Sequence, residues 1–302
     1  MQSESQTEVL YLNGSFMPLS EGRIGVEDRG FELGDGVYEV IKILNGRLLW
    51  LPDHIQRLER SLASIRLSEA LRGHPLETVL TELVARSGLE QGMVYIQVTR
   101  GFAPREFVFP AAPHPTVLAY ARAYPYPAVA DIMRGMVLQP VDDLRWAHCD
   151  IKSTNLLAAV LAKEEAKQAG ADEALFMAPD GYVREGGSSN VFAVLGGVVR
   201  THPLDCRILG GITRLHALEI ARRLGYPVEE RAFTLAEVED VFGTPPEVFA
   251  ASTLKDATPV VRIGDRTVGT GRPGEVTLRL LDEMRREQAA AVGASPPPSL
   301  LG

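Results

Sequence analysis

The sequence has 302 residues, 45% of them hydrophobic and 23% charged, with a formal net charge of −8. That length holds two modest domains, each with its own core, and the composition is that of a soluble globular protein. The acidic balance argues against nucleic acid or anionic membrane as partner, and no apolar run is long enough to cross a bilayer.

From the N-terminus, EVLYLNGSFMPL reads as two short strands around Asn13-Gly14, a pair suited to the positive φ of a tight hairpin turn. GVYEVIKILNGRLLWL repeats the arrangement around Asn45-Gly46. In LPDHIQRLERSLASIRL, Ile55, Leu58, Leu62 and Ile65 fall at spacings of three and four, an amphipathic helix with Asp53 as its expected N-cap. A second helix is expected over Leu76–Ser87, followed by strands in MVYIQVTRG and TVLAYARAY. The prolines of YPYPAVADIMRG break the pattern. Residues 124–135 therefore read as a linker between a small N-terminal domain, 1–123, and a larger one, 136–290.

The second domain starts with a strand at Met136–Pro140 and a helix from Ser153 to Ala169 closed by Gly170. Strands follow at Glu173–Ala178, Asn190–Leu195 and Val198–Thr201, then a helix over Arg214–Leu224 capped by Gly225. A short helix near Leu235–Val241, a strand at Glu247–Ala251 and a helix from Gly274 to about Ala290 complete it. Residues 291–302 have the composition of a disordered tail. The order of elements is that of an α+β protein rather than a doubly wound sheet. The opening residues lack the basic-then-apolar order of a secretory leader. Cys149 and Cys206 form no CxxC pair and have no metal-ligand spacing. Buried free thiols in a reducing cytoplasm are expected, with one disulfide as the alternative, and no metal site is expected.

Four segments hold more chemistry than folding requires. In DRGFELGDGVYEV, three glycines surround charges before a strand, which also describes an irregular loop. In CDIKSTNLLAA, Lys152 sits at the expected helix start, before a polar triplet and an apolar run. Most lysines are solvated, but burial in an apolar cleft would favour the neutral, nucleophilic amine. In VREGGSSNVF, Glu185 is either part of a polar turn or an anionic partner for a cationic ring. In LGGITRLHALEIARRLG, Gly210-Gly211 leads through Ile212 and Thr213 into a helix whose free N–H groups suit an anion, although Thr213 also serves as a plain N-cap. Neither a GK[ST] loop nor GxGxxG is present, so a nucleotide is not the expected ligand. An amine, a carboxylate and a helix-start anion site are the parts a pyridoxal phosphate enzyme needs.

Together these segments resemble the fold-type IV pyridoxal phosphate enzymes. The nearest resemblance is to the D-amino-acid aminotransferase family, with branched-chain aminotransferases and aminodeoxychorismate lyases as relatives. It runs from about Leu10 to Met284 through DRGFELGDGVYEV, DHIQRL, VTRG…PRE, RWAHCDIKSTNLL, EGGSSNVF, THP…ILGGITR and TPV, in the family's order. The resemblance implies a two-domain α+β fold of that type, a pyridoxal 5'-phosphate cofactor and a homodimer whose neighbouring subunit completes each site. It implies Lys152 as the Schiff-base lysine and Glu185 as the partner of the ring nitrogen. Arg57, Ile212, Thr213, Ser252 and Thr253 fall where the family contacts the phosphate, and Tyr38 on a residue lining the substrate pocket.

The substrate side departs from the family's pattern. Arg105 matches an arginine for the substrate carboxylate, but Phe107 stands where the family has a histidine, and phenylalanine donates no hydrogen bond. Lys255 and Arg29 are candidate replacement donors, set against a plain solvated Lys255 and a changed specificity at Phe107. The expected reaction moves the amino group of a D-amino acid to a 2-oxo acid. An (R)-selective amine transaminase and an aminodeoxychorismate-type lyase are the alternatives.

Overall fold

The computed structural model describes residues 8–239 and 244–301. The chain divides into two compact units. The first takes the chain up to Pro125 together with Ile151–Asn155 and Ala291–Ala294, and the second takes Tyr126–Asp150, Leu156–Ala290 and the chain from Ser295.

In the first unit, β1 (Val9–Leu12) and β2 (Ser15–Pro18) form the expected hairpin. Asn13 and Gly14 both take positive φ (47° and 98°), the turn whose twist matches paired strands. A one-turn helix α1 (Arg29–Leu33) leads into β3 (Gly36–Leu44), which turns at Asn45-Gly46 into β4 (Arg47–Leu48). Helices α2 (Leu51–Ser64) and α3 (Leu76–Ser87) precede β5 (Gln91–Thr99) and β6 (Thr116–Arg122). The sheet order is β2-β1-β6-β5-β3-β4. Alternation along the strands sorts two faces. Val37, Ile41, Val94, Ile96, Val98 and Ala119 pack into one core with Leu58 and Leu62 of α2 and Leu80 and Leu83 of α3. The opposite residues Tyr38, Tyr95 and Tyr120 stack in a row, with ring centroids 5.7 and 5.2 Å apart.

The cap of α2 differs from expectation. Trp50, in the left-handed conformation, is the N-cap, and Pro52 lies in the first turn, where no N–H is needed. Asp53 lies inside that turn, at the positive end of the helix, rather than at the cap.

Segment 151–155 lies along β3. The N–H of Tyr38 donates to the Lys152 carbonyl (2.9 Å), the N–H of Thr154 donates to the Gly36 carbonyl (3.0 Å), and Ser153 bridges Val37. β4 pairs only with Ile43 and Leu44, so the segment uses the edge of β3 that β4 leaves open.

In the second unit, α4 (Val129–Arg134) falls within the expected linker, where Asp131 accepts the N–H of Ala128 (3.2 Å). β7 (Met136–Asp142), α5 (Leu157–Gln168), β8 (Glu173–Met177) and β9 (Val183–Gly186) follow. Next come β10 (Asn190–Leu195), β11 (Val198–Thr201), α6 (Ile212–Arg223), β12 (Val228–Glu230) and α7 (Leu235–Glu239). The end of the expected helix at 240–241 lies outside the described residues. β13 (Glu247–Ser252), β14 (Asp256–Ile263), β15 (Arg266–Thr267) and α8 (Glu275–Ala291) complete the unit. Among the described residues the strands form one nine-stranded sheet, ordered β12-β11-β10-β13-β14-β7-β8-β9, with β15 on β14. Leu138, Leu175, Val191, Ala193, Val248, Ala250 and Phe233 are buried together in its core, and the cross-strand rings of Phe192 and Phe249 stack 4.5 Å apart.

Four expectations need correction. Helix α5 starts at Leu157, not Ser153, because the Thr154 N–H and hydroxyl donate to the Gly36 and Gly34 carbonyls while Ser153 bridges Val37. Of the two readings of VREGGSSNVF, the polar turn does not hold for Glu185, which lies on strand β9. The expected disordered tail is held: Asp282 of α8 accepts the hydroxyl of Ser299 (2.5 Å) and the N–H of Leu300 (2.9 Å), and Arg285 donates to the Pro298 carbonyl. Both cysteines are free, but Cys149 is half-buried and Cys206 exposed. Among the described residues no helix is long and apolar enough to cross a membrane.

Candidate active site

In the first unit the candidate amine is fixed through its main chain. Besides the bond from Tyr38, the N–H of Lys152 donates to Ser61 Oγ on α2 (3.3 Å). Its Nζ lies 4.3 Å from the centroid of the Tyr38 ring, a cation–π distance for the ammonium. The lysine is half-buried, while Leu156 and Leu157, expected to help enclose it, are exposed.

One face of α2 presents His54, Arg57 and Ser61, at spacings of three and four. Opposite them, Glu39 shares the inward face of β3 with Val37 and Ile41 and is fully buried. Arg57 Nε and Nη2 donate to its two oxygens (2.6 and 2.8 Å), and His54 Nδ1 lies 2.8 Å from Oε2. Burial opposes ionisation of Glu39, but Arg57 and then His54 hold its carboxyl well below the usual range. Burial, only partly offset by Glu39, also lowers the pKa of His54 and keeps the imidazole neutral. The bidentate contact fixes the plane of the Arg57 guanidinium.

The candidate carboxylate donors of this unit differ in environment. Arg105 is exposed, with Nε 3.9 Å from Glu32 Oε1 and its guanidinium 5.9 Å from the Phe107 ring. Phe107 is 85% exposed. Arg29 is buried, its Nε donating to Asp35 Oδ2 (2.8 Å) and its Nη1 to the Glu106 carbonyl (2.5 Å).

In the second unit Glu185, on β9, is buried within a set of donors. Arg145 Nη1 reaches Oε1 (2.5 Å), Asn190 Nδ2 reaches Oε2 (3.0 Å), and the N–H of Leu209 approaches both (3.2 and 3.1 Å). Arg145 is itself aimed by Asp143, which accepts from its Nε and Nη2, and by the Phe176 ring 4.1 Å away. Burial pushes the Glu185 carboxyl up to about 7, against the pull of Arg145 and Leu209.

Asn190 also donates to the Leu209 carbonyl (2.8 Å), linking Glu185 to the chain that enters α6. Gly211 is the N-cap of α6, so Ile212 and Thr213 are its first helical residues, and Thr213 is not the cap. A Cβ on Gly211 would lie 2.1 Å from Asn190 Oδ1, so only glycine fits this approach. Ser252, Thr253 and Lys255 share the turn from β13 to β14, where the Lys255 N–H donates to the Ser252 carbonyl (3.3 Å). Asp256 holds a positive φ of 54° there, and its Oδ1 accepts from Gln288 of α8 (2.7 Å). Burial notwithstanding, Arg134, the Val137 N–H and then Lys255 lower the pKa of Asp172, so the ammonium lies within electrostatic reach of that carboxylate.

Glu39, His54, Arg145 and Asn190 were not singled out from sequence, although all four lie inside motifs that were: GVYEV, DHIQRL, RWAHCDIK and EGGSSN.

The sequence matches the family model for class IV amino-transferases over residues 36–263. It is 39% identical over 272 residues to a D-alanine aminotransferase of Staphylococcus haemolyticus, covering 90% of this chain and 94% of that one. It is 42% identical over 265 residues to a D-alanine aminotransferase of Bacillus licheniformis, covering 88% and 92%. The fold matches the branched-chain amino acid aminotransferase of T.th. solved with pyridoxamine 5'-phosphate, with a TM-score of 0.82, 28% identity and 96% of each chain covered. It also matches the Escherichia coli branched-chain enzyme, with a TM-score of 0.84 at 23% identity over 94% and 95% of the chains.

Proposed function

The chain belongs to the class IV aminotransferase family, and from that membership we propose that it transfers the amino group of a D-amino acid such as D-alanine to a 2-oxo acid, using pyridoxal 5'-phosphate. The observation that carries the reading is Lys152: a half-buried amine whose N–H and carbonyl are both tied down. The cofactor, when bound, supplies an aldehyde for an amine and a cationic ring that accepts the electrons left when the substrate's α-proton departs.

Each unit holds residues whose chemistry suits such a group. Lys152 Nζ would hold it covalently until the substrate amine displaced the lysine, and the freed amine would then take up and return the substrate's α-proton. Glu185, a buried carboxylate already aimed by three donors, accepts from the ring nitrogen. Arg57, the N–H groups of Ile212 and Thr213, and the hydroxyls of Thr213, Ser252 and Thr253 supply donors for the phosphate. Tyr38 lines the substrate pocket. Arg105 and Lys255 take the substrate carboxylate, with Phe107 adding apolar surface where a donor is lacking.

A homodimer goes with this reading. In the first unit Phe107 and Val108 are 85% and 73% exposed, and Leu157, Val160 and Leu161 form an exposed apolar stripe on α5 in the second. Such side chains mark interfaces, and light scattering that returned a monomer mass would remove the dimer. We place the enzyme in the cytoplasm, where two free thiols stay reduced.

The test is a half-reaction panel of the holoenzyme with D-amino acids, L-amino acids and (R)-1-phenylethylamine, read by the change in cofactor absorbance. D-alanine is expected to convert the cofactor to its amine form, and silence with every D-amino acid rejects the assignment. Phe107 favours one second reading, an (R)-amine transaminase, which a response to the amine alone would establish. In the same panel Lys255→Ala is expected to raise KM for D-alanine several-fold with kcat little changed. An unchanged KM excludes Lys255 from carboxylate binding.

A further inference from the structure

The stretch from Pro104 to Pro110 contains neither strand nor helix, yet it carries Arg105 and Phe107. Its entry is fixed by backbone pairing. The N–H of Arg29 donates to the Gly101 carbonyl (3.0 Å), the N–H of Ala103 donates to the Glu27 carbonyl (3.3 Å), and Asp28 bridges Phe102. Gly101 has a φ of +82°, and a Cβ there would lie 1.6 Å from the His114 carbonyl oxygen, so the loop can leave β5 only through glycine.

Beyond that entry, a buried cluster holds the loop. Asp35 accepts Arg29 Nε and Arg100 Nε on Oδ2 (2.8 Å each) and Arg100 Nη2 on Oδ1 (3.0 Å). Both arginines are 2% exposed, so two buried guanidinium ions have one carboxylate between them. The excess positive charge is met by neutral acceptors. Arg100 donates to the Ile65 carbonyl (2.7 Å) and lies 3.7 Å from the Phe109 ring centroid, while Arg29 Nη1 donates to the Glu106 carbonyl (2.5 Å). Glu106 is the residue between Arg105 and Phe107. The cluster thus grips the loop at its middle through a hydrogen bond and at its end through a ring.

We propose that Arg29, braced by Asp35 and Arg100, is a positioning residue that sets the loop 104–109 and through it the reach of Arg105 toward the substrate carboxylate. This rests on the assignment of Arg105 to that carboxylate. Arg29 acts through the loop rather than by touching substrate. A guanidinium serves both acceptors because its donors diverge in a rigid fork; a lysine ammonium is a point charge that cannot reproduce this geometry.

The experiment compares holoenzyme Arg29→Lys with the parent by hydrogen exchange of peptides covering 102–110 and by steady-state kinetics with D-alanine. Faster exchange in the loop is expected, together with a KM raised roughly tenfold, kcat within about twofold and an unchanged cofactor spectrum. A raised KM with unchanged exchange overturns the proposal, because Arg29 would then contact the substrate directly. Faster exchange with unchanged KM overturns it equally, because the loop's order would not matter to substrate binding. If Arg29→Lys does not fold, Phe109→Ala, which removes the second grip, is held to the same pair of readouts. If the parent enzyme ignores D-alanine, it is the functional assignment that fails, and the exchange result alone still decides whether Arg29 holds the loop.

Discussion

Lys152→Ala is expected to lower kcat with D-alanine by roughly 10²–10⁴-fold, the range for loss of a positioned proton-transfer group. The size of the effect follows from how the residue is held. Its carbonyl accepts from Tyr38, its N–H donates to Ser61, and the next residue bridges Val37, so only the side chain remains to move. Nζ lies 4.3 Å from the centroid of the Tyr38 ring, so the ring is the surface along which the side chain runs. Truncation removes that proton carrier and leaves the backbone bonds intact, so the thermal midpoint should hold within a few degrees. Millimolar ethylamine should restore part of the lost rate, since a free amine can enter the space and accept the proton. A variant that keeps a tenth of the parent kcat would dismiss Lys152 from the reaction.

The second large effect is on stability. Glu39→Gln removes the negative member of a fully buried ion pair with Arg57, a class of change that costs about 3–5 kcal/mol. For a chain of this size the melting midpoint should fall by roughly 10 °C near pH 7. The pH dependence has a definite sign. Because the carboxyl of Glu39 is depressed in the folded state, its contribution is complete above about pH 4.5 and is lost as the pH falls toward the folded value. The gap between parent and variant should therefore stay wide at neutral pH and narrow on acidification below that point. His54 adds a separate slope to the parent. Its folded pKa is also depressed, so stability declines as the pH drops below about 6.5, where the unfolded imidazole gains a proton that the folded one refuses. Equal midpoints for parent and variant from pH 5 to 8 would show that the buried pair contributes nothing.

Much of this fold is legible locally. The hairpins at Asn13-Gly14 and Asn45-Gly46 and the helix Leu76–Ser87 depend on turn chemistry and periodicity within a dozen residues, and they stand where the pattern puts them. What misleads is interaction at long sequence separation. Ser153 and Thr154 look like the start of a helix until Val37, Gly36 and Gly34, some 120 residues earlier, engage them. The tail 291–302 has a disordered composition, but Asp282 meets it with a carboxylate that composition does not weigh. The chemically active residues could be selected by type and motif. Their supports could not: Glu39 reads as an ordinary strand residue and Arg145 as an ordinary charge until the fold brings Arg57 and Glu185 to them.

The alignment of residues 152–154 with β3 has one more consequence. In extended chain, successive side chains leave on opposite sides, so a shift of one position reverses every one of them. The hydrogen bonds at Tyr38 and Gly36 therefore fix more than where the lysine is; they fix the direction in which its amine leaves the chain. A single residue inserted between Asp150 and Lys152 could leave both cores intact and still turn the amine to the wrong side. At this edge the length of the chain is as strict a requirement as the identity of the lysine.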